Sequence, residues 1–131
     1  MSREIDQARA MLAADPTAAE ARLRAACLAL PETDEKISHG IPAFSVAGKM
    51  FAYYRHNHHG DGRTVVCVKT TGRDEQEFLL EADPETYSRP AYLWPSGWIA
   101  VSLAEPEWDL VEARLLTSWR LAAPRRLREA L

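Results

Sequence analysis

Two apolar runs, KMFAYYRH at residues 49–56 and RTVVCVKT at 63–70, are separated by only six residues, and this spacing constrains the chain more than any other feature. Both runs are dense in aromatic and β-branched side chains, which pack well on a pleated surface. The connection NHHGDG carries Gly60 and Gly62, residue types that take up the positive φ angles of a tight hairpin end without steric cost. A parallel crossover needs about a dozen residues or more, so the two runs must pair antiparallel. A lone hairpin is marginal in water, so further strands and a covering layer are required. If His56 stands opposite Arg63, the two-residue period puts Phe51, Tyr53, Val66 and Val68 on the core face. Met50, Tyr54, His56, Arg63, Cys67 and Lys69 then share the other face.

The flanking segments supply that layer. Asp15 followed by Pro16 reads as an N-cap with proline at the first helical position, and Leu23, Ala26, Cys27 and Leu30 recur at helical spacing up to Pro31. An additional N-terminal helix over 2–14 is expected from Ser2 as cap and Ile5, Ala8 and Leu12 on one face. Gly40, Pro42 and Ala47-Gly48 punctuate short strands near 36–39 and 43–46. A helix near 73–81 packs through Phe78 and Leu79 and ends in a turn at Asp83-Pro84. A last strand follows near 98–103. The helix from about 106 to 121 carries Trp108, Val111, Leu115 and Trp119 in one stripe, and Pro124 separates it from a basic C-terminal helix, RRLREAL. The expectation is one α+β domain over residues 1–131, an antiparallel sheet of about five strands with helices packed on one face.

Composition closes off several classes. With 47% hydrophobic and 27% charged residues the chain has ordinary globular usage, and its length suffices for a core without disulfides or metals. Cys27 and Cys67 lie in separate apolar segments without CxxC spacing, so neither a disulfide framework nor a zinc knuckle is indicated. The first residues lack the apolar core of a signal peptide, and no run approaches the roughly 18 apolar residues of a membrane span. A reduced, cytoplasmic, monomeric protein is expected. The net charge of −3 disfavours nucleic acid globally, so any DNA contact must use a local basic patch.

Three of the four histidines, His56, His58 and His59, cluster just before Asp61, a grouping with the donor types of a transition-metal site. The glycines around Asp61 favour a hairpin tip instead, with the histidines solvated, and no HExxH or cysteine ligand set reinforces a metal reading. His39 has no nucleophile motif beside it, and AGKM lacks the glycine spacing of a phosphate loop. What remains is a set of aromatics with polar handles, Tyr92, Trp94 and Trp98, and of cations, Lys49, Lys69 and the cluster Arg125, Arg126 and Arg128. Such groups stack on planar ligands and hold phosphates.

In order along the chain, HGIPAFSVAGKMFAYY, VVCVKT, YLWPSGWIAVSL and LLTSWRLAAPRRL closely resemble the MmcQ/YjbR family, over roughly residues 20–128. The most specific elements are Gly48–Ala52, Lys69, Gly97-Trp98 and Ser118-Trp119. The resemblance implies a CyaY-like α+β fold whose sheet keeps one face open, and a DNA-binding protein; with the residue readings above, no catalysis, metal or cofactor is expected. On that reading Lys49, Arg63, Lys69, Arg125 and Arg126 contact the phosphates of double-stranded DNA without reading sequence. The alternative is a small planar metabolite or antibiotic held near Tyr92, Trp94, Trp98, Ser118 and Trp119. A third is a protein–protein adaptor using the open sheet face.

Overall fold

A computed structural model describes residues 16–131. The helix expected over 2–14 lies outside the described residues. Helix α1 runs Pro16–Leu28 and leads into strands β1 (Thr33–Ser38), β2 (Ile41–Val46), β3 (Lys49–His56) and β4 (Thr64–Lys69). Helix α2 (Arg73–Ala82) is followed by the two-residue strand β5 (Tyr87–Ser88), then β6 (Trp98–Ser102), α3 (Trp108–Ala122) and α4 (Arg125–Ala130). The strands form a six-stranded sheet in the order β1-β2-β3-β4-β6-β5, antiparallel at every pairing.

This is the expected α+β architecture, with two differences in the strands. The first strand begins earlier than expected, because α1 stops at Leu28 and leaves Thr33 free to pair with Val46. The segment after Asp83-Pro84 is also more than a turn: Tyr87 and Ser88 pair with Val101 and Ala100 and form the sheet's far edge. Among the described residues, no helix is long and apolar enough to cross a membrane.

The helices cover one sheet face. Leu23 and Cys27 of α1, and Val111, Leu115 and Trp119 of α3, pack with Phe44, Phe51, Val66, Val68, Ile99 and Val101 of the sheet in one buried cluster. The stripe on α3 is therefore the core stripe its spacing predicts. Burial of the Cys27 thiol in this cluster pushes its pKa upward, as expected of a structural cysteine. Helix α2 departs from expectation. Leu79 is buried as expected, but Phe78 is 68% exposed and Gln76, one turn from Leu79, is buried in its place. Its amide Nε2 donates to the carbonyls of Trp94 and Trp98, both at 2.8 Å, and so ties α2 to the 89–97 loop.

Register overturns the expected division of faces on β3. His56 stands opposite Thr64 rather than Arg63, and the backbone N–H of Asn57 donates to the carbonyl of Arg63 at 2.7 Å. Ser45 pairs with Met50 while Phe44 pairs with Ala52, so Phe51 is an extra residue, a β-bulge. The bulge sends Phe51 and Ala52 consecutively into the helix-side cluster, after which the alternation resumes out of phase. Tyr54 therefore faces the helices. Tyr53 lies on the second face with Met50, Cys67 and Trp98.

Ser118 of α3 completes the bulge. Its hydroxyl donates to the Phe51 carbonyl and accepts the Lys69 backbone N–H at 2.8 Å. One buried side chain thus bridges β3 and β4 just beyond the Ala52–Val68 pair at which their ladder ends. The indole Nε1 of its neighbour Trp119 donates to the carbonyl of Pro31 at 3.1 Å and anchors the turn after α1. Both side chains are wholly interior, so the expectation that Ser118 and Trp119 line a ligand site is corrected: they hold the sheet's curvature and the helix layer.

Candidate functional site

The second face is built differently. Val65, Cys67, Trp98 and Ala100 form a small buried cluster there, flanked by Met50, Tyr53 and Leu93. The loop at 89–97 crosses this face in place of a helix. Gly97 closes the loop at φ 89°, a left-handed conformation that glycine adopts freely, and the Thr70 hydroxyl donates to its carbonyl at 2.8 Å. Trp98 is only 6% exposed; its ring lies 5.1 Å from that of Tyr53, with the Lys69 ammonium 5.8 Å from its centroid.

Between this loop and the β3–β4 tip lies a cavity of about 410 Å³. Val65, Cys67 and Ala100 make its apolar floor, and Pro90 and Ala91 come from the loop. Arg55, His58, Arg63 and Arg89 line its polar walls. Arg55 sits in β3 opposite Val65 and is only 9% exposed. Its Nη1 donates to the Ala91 carbonyl at 3.0 Å, while its buried Nε has no hydrogen-bond partner. Among the described residues, none of the ion pairs involves Arg55, Arg63 or Arg89. The one carboxylate lining the cavity, Asp61, accepts the Arg63 backbone N–H at 2.8 Å. Three arginines thus line a hollow with one acid, the Arg89 guanidinium also lying over Trp94, although the chain as a whole is acidic.

The tip is ordered by its own hydrogen bonds. Asn57 Oδ1 accepts the Gly62 N–H at 2.8 Å, and His58–Gly60 form a short turn kinked at His59. The hairpin-tip reading of RHNHHGDGR therefore holds, but the histidines are not uniformly solvated. His58 is half-buried, and its ring centroid is 4.0 Å from that of His59, which meets the edge of Tyr92 at 5.8 Å. His59 (φ 54°) and Tyr92 (φ 67°) both adopt left-handed backbone conformations, which for such residues cost on the order of 1 kcal/mol or more each. His56 lies apart from these, accepting from or donating to Thr64 Oγ1 at 2.8 Å and lining a separate hollow with Tyr54 and Pro16. Among the described residues, no three His, Cys, Asp or Glu side chains are grouped to hold a metal ion.

One thiol and one imidazole report on the cavity's interior. Burial pushes the Cys67 thiol up to about 12, only partly offset by the charge of Arg55, so it is no activated nucleophile. Burial, then the charges of Arg55 and His59, hold His58 below the usual histidine range, with Asp61 opposing. A larger hollow of about 600 Å³ between the 83–86 turn and residues 104–107 is lined by Asp83, Glu85, Glu105 and Glu107. Asp83 there caps the turn, accepting the Thr86 N–H at 3.2 Å.

The cations expected to meet DNA do not converge. Lys49 opens β3 and Lys69 ends β4, whereas Arg63 lies beyond the far end of that hairpin, about 20 Å away at the rise of a strand. Arg125 and Arg126 are in α4, paired with Glu129 at 2.7 Å and Glu32 at 3.0 Å. The expected aromatic trio also divides. Tyr92 is 80% exposed at the cavity rim, Trp98 is buried, and Trp94 lies against the main core with the guanidiniums of Arg73 and Arg89 at 5.4 and 4.7 Å. Arg55 and Arg89 escaped the sequence reading. The signal for Arg55 was its place beside Tyr53 and Tyr54 inside a strand, where a charged residue needs a reason to be buried.

The family model YjbR matches residues 28–121. The fold is similar to the crystal structure of the Deinococcus radiodurans protein DR2400, which carries the domain DUF419, with a TM-score of 0.65 and 21% identity over 82% of this chain and 83% of that one. No curated protein matches the chain. The matched span reaches from the end of α1 through most of α3, taking in the bulge, the Ser118 bridge and both walls of the cavity, and on it the chain belongs to the YjbR family.

Proposed function

We propose that this YjbR-family chain is a non-catalytic binding protein that takes a small ligand on the second face of its sheet, between the hairpin tip and the 89–97 loop. The observation that carries the reading is the cavity of about 410 Å³ with an apolar floor and a few convergent polar groups, the arrangement and size that small-molecule sites share. The raised pKa of Cys67 supports binding rather than covalent chemistry at that floor. Duplex DNA is the less well supported partner, because Lys49, Lys69 and Arg63 are spread over the sheet and Arg125 and Arg126 are engaged with carboxylates.

Amide NMR of the labelled protein against a fragment set containing neutral and charged members tests the proposal. Saturable shifts confined to the amides of Cys67, Ala91 and Ala100 are expected. If every fragment leaves these signals in place, or if the shifts gather around Lys49 and Arg126 on addition of duplex DNA alone, the reading fails.

A further inference from the structure

We infer that the cavity is an oxyanion receptor, in which the buried guanidinium of Arg55 grips a phosphate or carboxylate group of a small molecule and Arg63 and Arg89 close around it. The inference rests on the ligand-binding reading above and names the chemical class of the ligand. Its physical basis is the state of Arg55. Burying a guanidinium costs several kcal/mol by rough reckoning unless a counter-charge and hydrogen bonds compensate it. Arg55 is nine-tenths buried, has one hydrogen bond, to Ala91, and no carboxylate partner among the described residues. A carbonyl latch alone does not require a charge, since a neutral amide would serve it at lower desolvation cost. The planar fork of donors matches two oxygens of a carboxylate or phosphate, which is the usual counterpart of a buried arginine.

The surroundings point the same way. Arg63 and Arg89, which form no ion pair among the described residues, line the same hollow. The local excess of positive charge is present in a chain whose net charge is −3, so it is a feature of this face and not of the composition. The cavity is also much larger than a bare anion. The remainder of the ligand therefore rests on Val65, Cys67 and Ala100, with Tyr92 and His59 at the rim.

The test is titration of the whole protein with inorganic phosphate, glycerol phosphate, succinate and neutral glycerol at matched ionic strength. Binding is read from the amides of Cys67, Ala91 and Ala100 and from the thermal midpoint. At least one oxyanion should saturate these shifts while glycerol does not, and the phosphate and succinate arms identify which oxyanion is preferred. Arg55→Met should weaken that binding by tenfold or more, about the loss of one charge-assisted hydrogen-bonded pair. Arg89→Gln, at an exposed residue that leaves the sheet untouched, should weaken it severalfold and keeps the test valid if Arg55→Met disturbs the loop. Arg120→Gln, outside the cavity, should change nothing. Absence of saturable binding by any oxyanion, or equal affinity in the wild type and both cavity variants, overturns the inference. Neutral fragments that bind the cavity while oxyanions do not would defeat this inference and leave the binding function standing; if nothing binds there, both fall.

Discussion

The two faces of the sheet differ in what covers them. On one face two long helices lay down Leu23, Val111, Leu115 and Trp119, and the sheet residues beneath, from Phe44 to Val101, are almost completely shielded from water. On the other a single irregular loop, held by Gln76 and Thr70, covers Trp98 and touches the hairpin tip only through Tyr92, leaving a charged hollow between them. A helix covers a sheet with apolar side chains whose own backbone is already hydrogen-bonded. A loop must send its carbonyls to outside donors, and here Arg55 and Gln76 provide them. The packed face therefore carries stability, and the loop-covered face is free to carry binding.

The largest effect expected from breaking this contrast is at Trp119. Trp119→Ala should remove about 3–5 kcal/mol from the folded state, since it empties the centre of the helix face and releases the Pro31 carbonyl. Chemical denaturation measures it; a loss comparable to that of an exposed residue would mean that the helix layer is not the main core. Next is Ser118→Ala, which strips the Phe51 carbonyl and the Lys69 N–H of their shared partner in a buried place. It should cost about 1–3 kcal/mol, and hydrogen exchange should quicken first at the Lys69 amide. Unchanged protection there would show that β3 and β4 satisfy these groups without the hydroxyl.

On the second face the expected sign differs. Arg55→Met should leave unfolding free energy within about 1 kcal/mol of wild type, because the lost bond to Ala91 is offset by removing a desolvated charge. A loss of several kcal/mol on denaturation would identify Arg55 as a structural latch and sharpen the contrast against binding. The smallest effect concerns pH. His58 faces Arg55, His59 and Asp61, with Arg63 and Arg89 lining the same cavity, and its pKa is depressed by burial and then by Arg55. The unfolded chain therefore takes up the proton first. The stability contribution is fully present above the ordinary histidine pKa of about 6.5 and is lost as pH falls through the lower folded value. His58→Gln should flatten that slope in thermal melts recorded across this range; an unchanged slope assigns it to other groups.

Much of the fold was legible in the residues. The hairpin followed from strand composition and a six-residue connection, and the stripe Val111, Leu115, Trp119 faces the core as its spacing requires. The exchange of Tyr53 and Tyr54 between faces was not legible, because one extra residue at Phe51 reverses the alternation and nothing local in KMFAYYRH marks it. The candidate site was read only at its rim. His58 and Arg63 of the lining, and Tyr92 against His59, stood out by type, whereas Arg55 looked like the polar end of a strand and Arg89 like part of a proline-broken loop.

The sequence by itself determined most of the helices and strands of the described residues, though not the short edge strand β5, since these depend on periodicity and on glycine and proline, which act over a few residues. The tertiary structure alone decided that Ser118 bridges two strands 67 and 49 residues away in the chain, and that Arg55 is buried beneath Ala91, 36 residues on. Register, burial and the convergence of charges depend on distant segments meeting, and a local pattern carries no record of where a side chain's partners will be.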